Sequence, residues 1–190
     1  MHEIAGEGDD VGKARALRRQ RRADMAKQFR DDYVLVKGMG LAVTSGRPWF
    51  DPACDYVGFT ATQSAAHAAY KMAGIADPVR EIDLAEVHDC FTWTEITNYE
   101  DLGFCRKGEG AHFIAEGRSA LGGDMPVNTS GGLKSFGHPI GASGVRMIYE
   151  VVTQLRGEAE TRQIRDAKLG LVHNLGGPGA VACVLVLGTA

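Results

Sequence analysis

The stretch from Asn128 to Gly144 constrains this chain most, because it is rich in glycine and leads directly into a helical pattern. The apolar residues that follow recur at helical spacing, which predicts an amphipathic helix that begins near Ala142 or Ser143. A glycine-rich loop before a helix presents backbone N–H groups to an anion or a developing oxyanion. The stretch therefore predicts a site that holds negative charge.

His138 lies in the middle of this stretch, between Gly137 and Pro139. The glycine allows the backbone to approach a ligand closely, and the proline fixes the turn that follows. An imidazole beside backbone donors is the combination that acyl transfer needs, so His138 is a candidate catalytic residue.

The rest of the chain predicts an α/β fold, because strand patterns alternate with helical ones. A mixed sheet with helices packed on its faces is expected. The predicted strands cover residues 33–43, 82–87, 168–174 and 180–187. The predicted helices cover residues 62–74, 92–102 and 143–156, with a short helical segment at 111–116 and an aromatic loop at 49–52.

Charge divides the chain into two parts. Residues 11–30 contain eight Lys or Arg and one Asp, although the whole chain of 190 residues has a formal net charge of −3. Residues 1–30 are interpreted as a basic, poorly structured leader, and residues 31–190 as one domain. A nucleic-acid arm or a site for the phosphates of coenzyme A was the alternative. The absence of interleaved aromatic residues argues against nucleic acid as a partner.

Composition excludes several classes of protein. No apolar run approaches the roughly 20 residues of a membrane span, and the charged N-terminus lacks the apolar region of a signal peptide, so a cytoplasmic protein without membrane contact is expected. The cysteines do not have the spacing of a zinc ribbon. They are expected to be reduced and mostly buried, at Cys54, Cys90, Cys105 and Cys183.

Three histidines, His88, His138 and His173, are predicted to lie at turns. Three histidines and a water are a known zinc site, but no two of these share a helical turn, so no metal is expected. Each histidine could also simply satisfy a buried turn by hydrogen bonding. Their common position at junctions of strands and loops favours catalysis.

Three motifs in this order resemble the active-site motifs of the thiolase family. They are Gly137-His138-Pro139, His88-Asp89-Cys90-Phe91 and His173-Asn174-Leu175-Gly176-Gly177. They are most similar to the branch that contains the sterol-carrier-protein-linked thiolases. The resemblance extends from about Tyr33 to the C-terminus and corresponds to the C-terminal half of a thiolase.

The resemblance implies a role for each motif. His138 would take the proton of a nucleophilic cysteine thiol and help to hold the thioester oxygen, and His88 would contribute to an oxyanion hole. His173 matches the position of the family's second catalytic cysteine, which exchanges a proton with the substrate's α-carbon; this departure places ordinary thiolysis in question. The resemblance implies that five residues support the oxyanion holes and turns: Asp89, Asn128, Gly137, Gly176 and Gly177. It implies that Ser135, Phe136 and Pro139 bind the substrate.

The resemblance also implies partners. Acyl-CoA would be the substrate, and no tightly bound cofactor is expected. The family's nucleophilic cysteine belongs to an N-terminal half that is not in this sequence. Cys90 lies close to His88 and could substitute for that cysteine, but its predicted position at the start of a helix inside the fold indicates a packing residue. A homo-oligomer is expected, and some relatives work with a partner that combines an OB fold with a zinc ribbon. The predicted function is half of an acyl-CoA acyltransferase. The alternatives are a non-catalytic interaction domain and half of a retro-aldolase that acts on hydroxyacyl-CoA.

Overall fold

One four-stranded mixed sheet forms the centre of the computed structural model, which describes residues 7–45 and 57–189. Its strands are β1 (Val34–Val43), β2 (Leu84–Glu86), β3 (Leu169–Gly176) and β4 (Val181–Thr189). The spatial order is β1-β4-β3-β2. The β1–β4 and β3–β4 pairs are antiparallel, whereas β2 and β3 are parallel. The predicted α/β class is confirmed.

Seven helices accompany the sheet within the described residues. They are α1 (Glu7–Lys27), α2 (Thr60–Ala73), α3 (Pro78–Glu81), α4 (Thr92–Asp101), α5 (Gly110–Ala115), α6 (Gly132–Phe136) and α7 (Ser143–Leu155). Gly74 ends α2 in the left-handed conformation (φ 81°), which glycine adopts without strain. None of the helices described has the length and apolar content needed to cross a membrane.

One face of the sheet is covered by α2, which packs against β1 and β4. The contact is close because β1 presents Gly38 and Gly40 to the helix, and a Cβ at Gly40 would overlap the Ala65 carbonyl oxygen. Small residues on α2, such as Ala65 and Ala69, complete this contact. Beyond α2 lie α4 and α5, whose aromatic residues extend the same core.

The other face is covered in part by α7, which packs on β2, β3 and β4. Met147, Val151 and Leu155 form its buried stripe. Strand β1 extends beyond the cover of this helix, and its side chains on the α7 face are exposed at Met39, Leu41 and Val43. The sheet is therefore closed on one face and partly open on the other.

Several details differ from the sequence predictions. Residues 7–27 form a helix where no regular element was expected, and none of its described side chains is buried. Met72 and Trp93 lie on the apolar faces expected of the predicted helices at 62–74 and 92–102, but they are about half exposed, at 48% and 53%. The predicted aromatic loop at 49–52 and Cys54 lie outside the described residues.

Candidate active site

An open pocket of about 410 Å³ lies at the edge of the sheet where β2 and β3 end. Because these strands are parallel, their carboxyl ends meet at the same edge, which is where ligands commonly bind in α/β folds. The loop before α7 closes the pocket from the side. Its polar, thiol and glycine lining consists of His88, Cys90, His138, Asn174, Gly176, Gly177 and Cys183.

The rings of His88 and His138 meet edge to face, with their centroids 4.9 Å apart. His138 Nδ1 lies 2.7 Å from Ser143 Oγ, and the Ser143 hydroxyl donates to the Pro139 carbonyl at 3.3 Å. That hydroxyl has only one proton, so when it donates to Pro139 it accepts from His138, whose Nδ1 then carries the proton. Neutral His138 then has a lone pair at Nε2, as a general base requires.

His88 is held by Asn174, whose Oδ1 lies 2.9 Å from His88 Nδ1. The Asn98 side-chain amide donates to the backbone carbonyl of His88 at 2.8 Å, so the residue is fixed at two points. Burial lowers the pKa of His88 below its ordinary value, although the hydrogen bond to Asn174 opposes this shift. The neutral imidazole is therefore favoured at neutral pH.

His173 does not join these two histidines. It was predicted to lie at a turn, but it lies within β3, where it pairs with Val184, and its side chain is fully buried against Thr62 of α2 (Nε2 to Oγ1, 3.0 Å). Successive side chains of a strand point to opposite faces, so Asn174 reaches the pocket and His173 does not. Burial lowers the pKa of His173 to about 3.

Cys90, unlike His173, lies in the pocket although the sequence did not predict a catalytic role for it. The sequence placed it inside the fold as a packing residue, but its side chain is exposed and lines the pocket with the two histidines. It precedes α4, so it is still in the loop rather than in the helix. The sequence predicted a packing role for Cys90 and no role for Asn174, although both belong to motifs that carry a candidate histidine.

The turn at residues 128–133 is anchored to the end of β2. The Val87 N–H donates to Asn128 Oδ1 at 2.8 Å, and the Leu133 N–H donates to Asp89 Oδ1 at 2.8 Å. Beneath the turn lies Glu86, whose Oε2 accepts the Ser130 hydroxyl at 2.7 Å. Burial raises the pKa of Glu86 to about 7, against the hydrogen bonds from Ser130 and the charge of a nearby arginine.

Comparison with known proteins identifies the family. Residues 50–189 match the family described as thiolase C-terminal domain-like. The chain belongs to this family. It is 47% identical over 162 residues to an acetyl-CoA acetyltransferase of Methanothermobacter thermautotrophicus, covering 85% of this chain and 41% of that protein. It is 45% identical over 129 residues to human sterol carrier protein 2, covering 68% of this chain and 23% of that protein.

Among solved structures, this thiolase-like chain is similar to one titled "Ltp2-ChsH2(DUF35) aldolase". The TM-score is 0.70 at 28% sequence identity, over 82% of this chain and 39% of that one. The chain thus spans less than half the length of each of these relatives.

Gly176 and Gly177 line the pocket, whereas four other residues implied by the thiolase resemblance are not in its lining: Ser135, Phe136, Gly137 and Pro139. Ser135 and Phe136 are exposed on α6, and the Arg146 guanidinium lies over the Phe136 ring at 4.6 Å. Pro139 accepts the backbone N–H groups of Ala142 and Ser143, which shapes the turn before α7. Gly137 ends α6 with φ 79°, and Gly177 has φ 60°, so both use a conformation that favours glycine.

His173 contacts Thr62 of α2 and is not among the residues that line the pocket with His88 and His138. Within residues 7–45 and 57–189, no group of three or more His, Cys, Asp or Glu side chains is arranged to hold a metal ion.

Proposed function

We propose that this chain is the C-terminal half of an acyl-CoA acyltransferase, and that its reaction is Claisen condensation or thiolysis. The pocket carries the proposal, because it places the His138 base beside His88 and the Cys90 thiol in a space open to solvent. The relatives named acetyl-CoA acetyltransferase support acyl-CoA as the substrate class. No tightly bound cofactor enters this chemistry.

In the first half-reaction, His138 Nε2 takes the proton from a cysteine thiol supplied by an N-terminal half. The thiolate attacks the thioester carbonyl of acyl-CoA, and the bond to the coenzyme A sulfur breaks. The coenzyme A thiolate takes the proton back as it leaves, so the enzyme holds the acyl group as a thioester. Ser143 supports this step because its hydrogen bond keeps the proton of His138 at Nδ1.

In the second half-reaction, a base must remove a proton from the α-carbon of a second acyl-CoA. The resemblance assigned this step to His173, but two thiols, Cys90 and Cys183, line the pocket. Cys90 is the exposed one, whereas burial raises the pKa of Cys183. We therefore assign the α-carbon proton to Cys90: its thiolate takes the proton, and the resulting carbanion attacks the carbonyl of the enzyme-bound thioester. The bond from that carbonyl to the nucleophilic cysteine sulfur breaks as the carbon–carbon bond forms, and the released cysteine thiolate recovers the proton that Cys90 took.

A retro-aldolase is the second candidate, and the likeness to the structure titled as an aldolase favours it. That title names two components, which supports a partner protein for this chain as well. A chain that only binds a partner remains the non-catalytic alternative. Measuring thioester formation separates these functions, because aldol cleavage and simple binding need no acyl-enzyme.

The test combines this chain with the N-terminal half of the Methanothermobacter relative and acetyl-CoA, with the acyl-enzyme followed by intact mass. We expect an acetyl adduct on the N-terminal half, and a roughly 10²-fold slower adduct with His138→Ala because a positioned base is lost. His67→Ala, an exposed histidine on α2, is the matched control. Near-normal acylation of the His138→Ala protein would remove this residue from the proposed role.

A further inference from the structure

We propose that Asn174 is a positioning residue that fixes the tautomer of His88, so that neutral His88 offers the pocket a proton acceptor and not a donor. The thiolase resemblance assigned His88 to an oxyanion hole, which requires a donor. Which group gives a proton to His88 rests on the proposed function. Which ring nitrogen of His88 carries the proton does not rest on it.

The geometry determines which nitrogen carries the proton. His88 Nδ1 lies 2.9 Å from Asn174 Oδ1, and an amide oxygen can only accept. The donor is therefore the imidazole, and a neutral imidazole has a single N–H. With that proton at Nδ1, the Nε2 of His88 carries a lone pair.

The two ends of the Asn174 amide face different neighbours. Its nitrogen end faces Gly144 at the start of α7, where a Cβ would lie 2.9 Å from Nδ2. Its oxygen end is left for His88. A glycine at position 144 therefore makes room for the amide, and a larger residue there would displace it.

A chemical consequence follows for Cys90, which lines the same pocket. His88 Nε2 can accept the proton from the Cys90 thiol, which leaves a thiolate and an imidazolium, and it can return the proton later. The imidazolium would then donate at Nε2, so His88 could stabilise an oxyanion only after it has taken a proton.

The test is histidine-ring NMR on the ¹⁵N-labelled chain alone at a pH where the rings are neutral, which reports the protonated nitrogen of each ring. We expect the Nδ1–H form for His88 in the unmodified chain, and loss of that form with Asn174→Leu. Gly144→Ala should give the same change without altering Asn174 itself. His138 is the internal control, because its tautomer depends on Ser143 and should be the same in all three proteins.

Asn174→Asp keeps an oxygen acceptor beside His88 Nδ1 and adds a negative charge to it. It should retain Nδ1–H and raise the pKa of His88 by about 1 unit or more. An Nε2–H tautomer in the unmodified chain would overturn the proposal. The proposal would also be overturned if the His88 tautomer were unchanged in both Asn174→Leu and Gly144→Ala and the pKa of His88 were unchanged in Asn174→Asp. Because no acyl transfer is measured, these outcomes do not depend on whether the chain belongs to an acyltransferase.

Discussion

At the scale of single residues, the directions of two neighbouring side chains in β3 decide which of them can take part in chemistry at the pocket. His173 and Asn174 are neighbours in β3, and a shift of one residue reverses which of them faces the pocket. The sequence pattern around them is apolar on both sides, as in a buried strand, so alternation gave no signal. Only the pairing with β4 and the packing of α2 determine the orientation.

This difference predicts that Cys90 and His173 respond differently to substitution. In the complex with an N-terminal half, Cys90→Ser should lower condensation by roughly 10² or more, because a hydroxyl is a poor base, while acyl-enzyme formation persists. His173→Ala should instead lower the free energy of unfolding by about 2 kcal/mol or more, through the cavity it leaves. Condensation rates and urea unfolding curves measure the two effects. If Cys90→Ser condenses normally, or if His173→Ala folds stably but no longer condenses, the α-carbon base is His173 and not Cys90.

Glu86 predicts a dependence of stability on pH. Burial raises its pKa from an ordinary value of 4.5 to about 7 in the folded chain, so the folded state binds its proton more tightly than the unfolded state does. The stabilisation is complete below about pH 4.5 and is lost as the pH rises through about 7, with a change of roughly 1–3 kcal/mol. Glu86→Gln, which keeps a neutral carbonyl acceptor, should remove this part of the pH dependence.

The measurement is urea unfolding at several pH values between 5 and 8. Glu116→Gln is the matched control, because Glu116 is an exposed residue on the same chain. If the pH dependence of the Glu86→Gln chain equals that of the unmodified chain, Glu86 is ionised throughout this range.

At the scale of elements, α7 shows what helical periodicity can and cannot predict. Its bounds were predicted within about one residue, because glycine precedes it and its apolar residues repeat. Val145 and Tyr149 belong to the predicted apolar face but are 67% and 69% exposed, whereas Met147 and Val151 are buried. A helix with apolar residues on two sides suits a position between two layers, and one chain supplies only one of those layers.

The contact between α2 and β1 predicts a strong effect of a small change. Gly40→Ala would place a Cβ against the backbone of Ala65, which cannot move as a flexible side chain could. We expect a loss of about 2 kcal/mol or more in the free energy of unfolding, because α2 must shift away from the sheet. Gly122→Ala is the matched control, since a Cβ there has nothing within 4 Å. Equal stability of the two variants would contradict this view of the contact.

At the scale of the whole molecule, the two sides of the sheet are unequal. The side of α2, α4 and α5 forms a closed core, while apolar residues remain exposed on the side of α7. We call the exposed set the apolar face: Val36, Met39, Leu41 and Val43 of β1, Val181 of β4, and Val145 and Tyr149 of α7. No pattern in the sequence distinguishes an apolar residue that packs within its own chain from one that another layer would cover. The resemblance to half of a longer family was the signal that pointed to this face.

The apolar face predicts that the isolated chain self-associates and that a thiolase N-terminal half relieves this by covering the face. Large contiguous apolar patches are uncommon on monomers and mark interaction sites, and we expect these exposed residues to form one. Sedimentation velocity should show concentration-dependent oligomers, which Leu41→Glu reduces, since a buried unpaired charge opposes association. Leu121→Glu, at an exposed leucine outside the face, should have no such effect. Adding the N-terminal half should give a defined complex with the unmodified chain and a weaker one with Leu41→Glu. An unmodified chain that stays monomeric at every concentration and binds no N-terminal half would show that this face serves neither purpose.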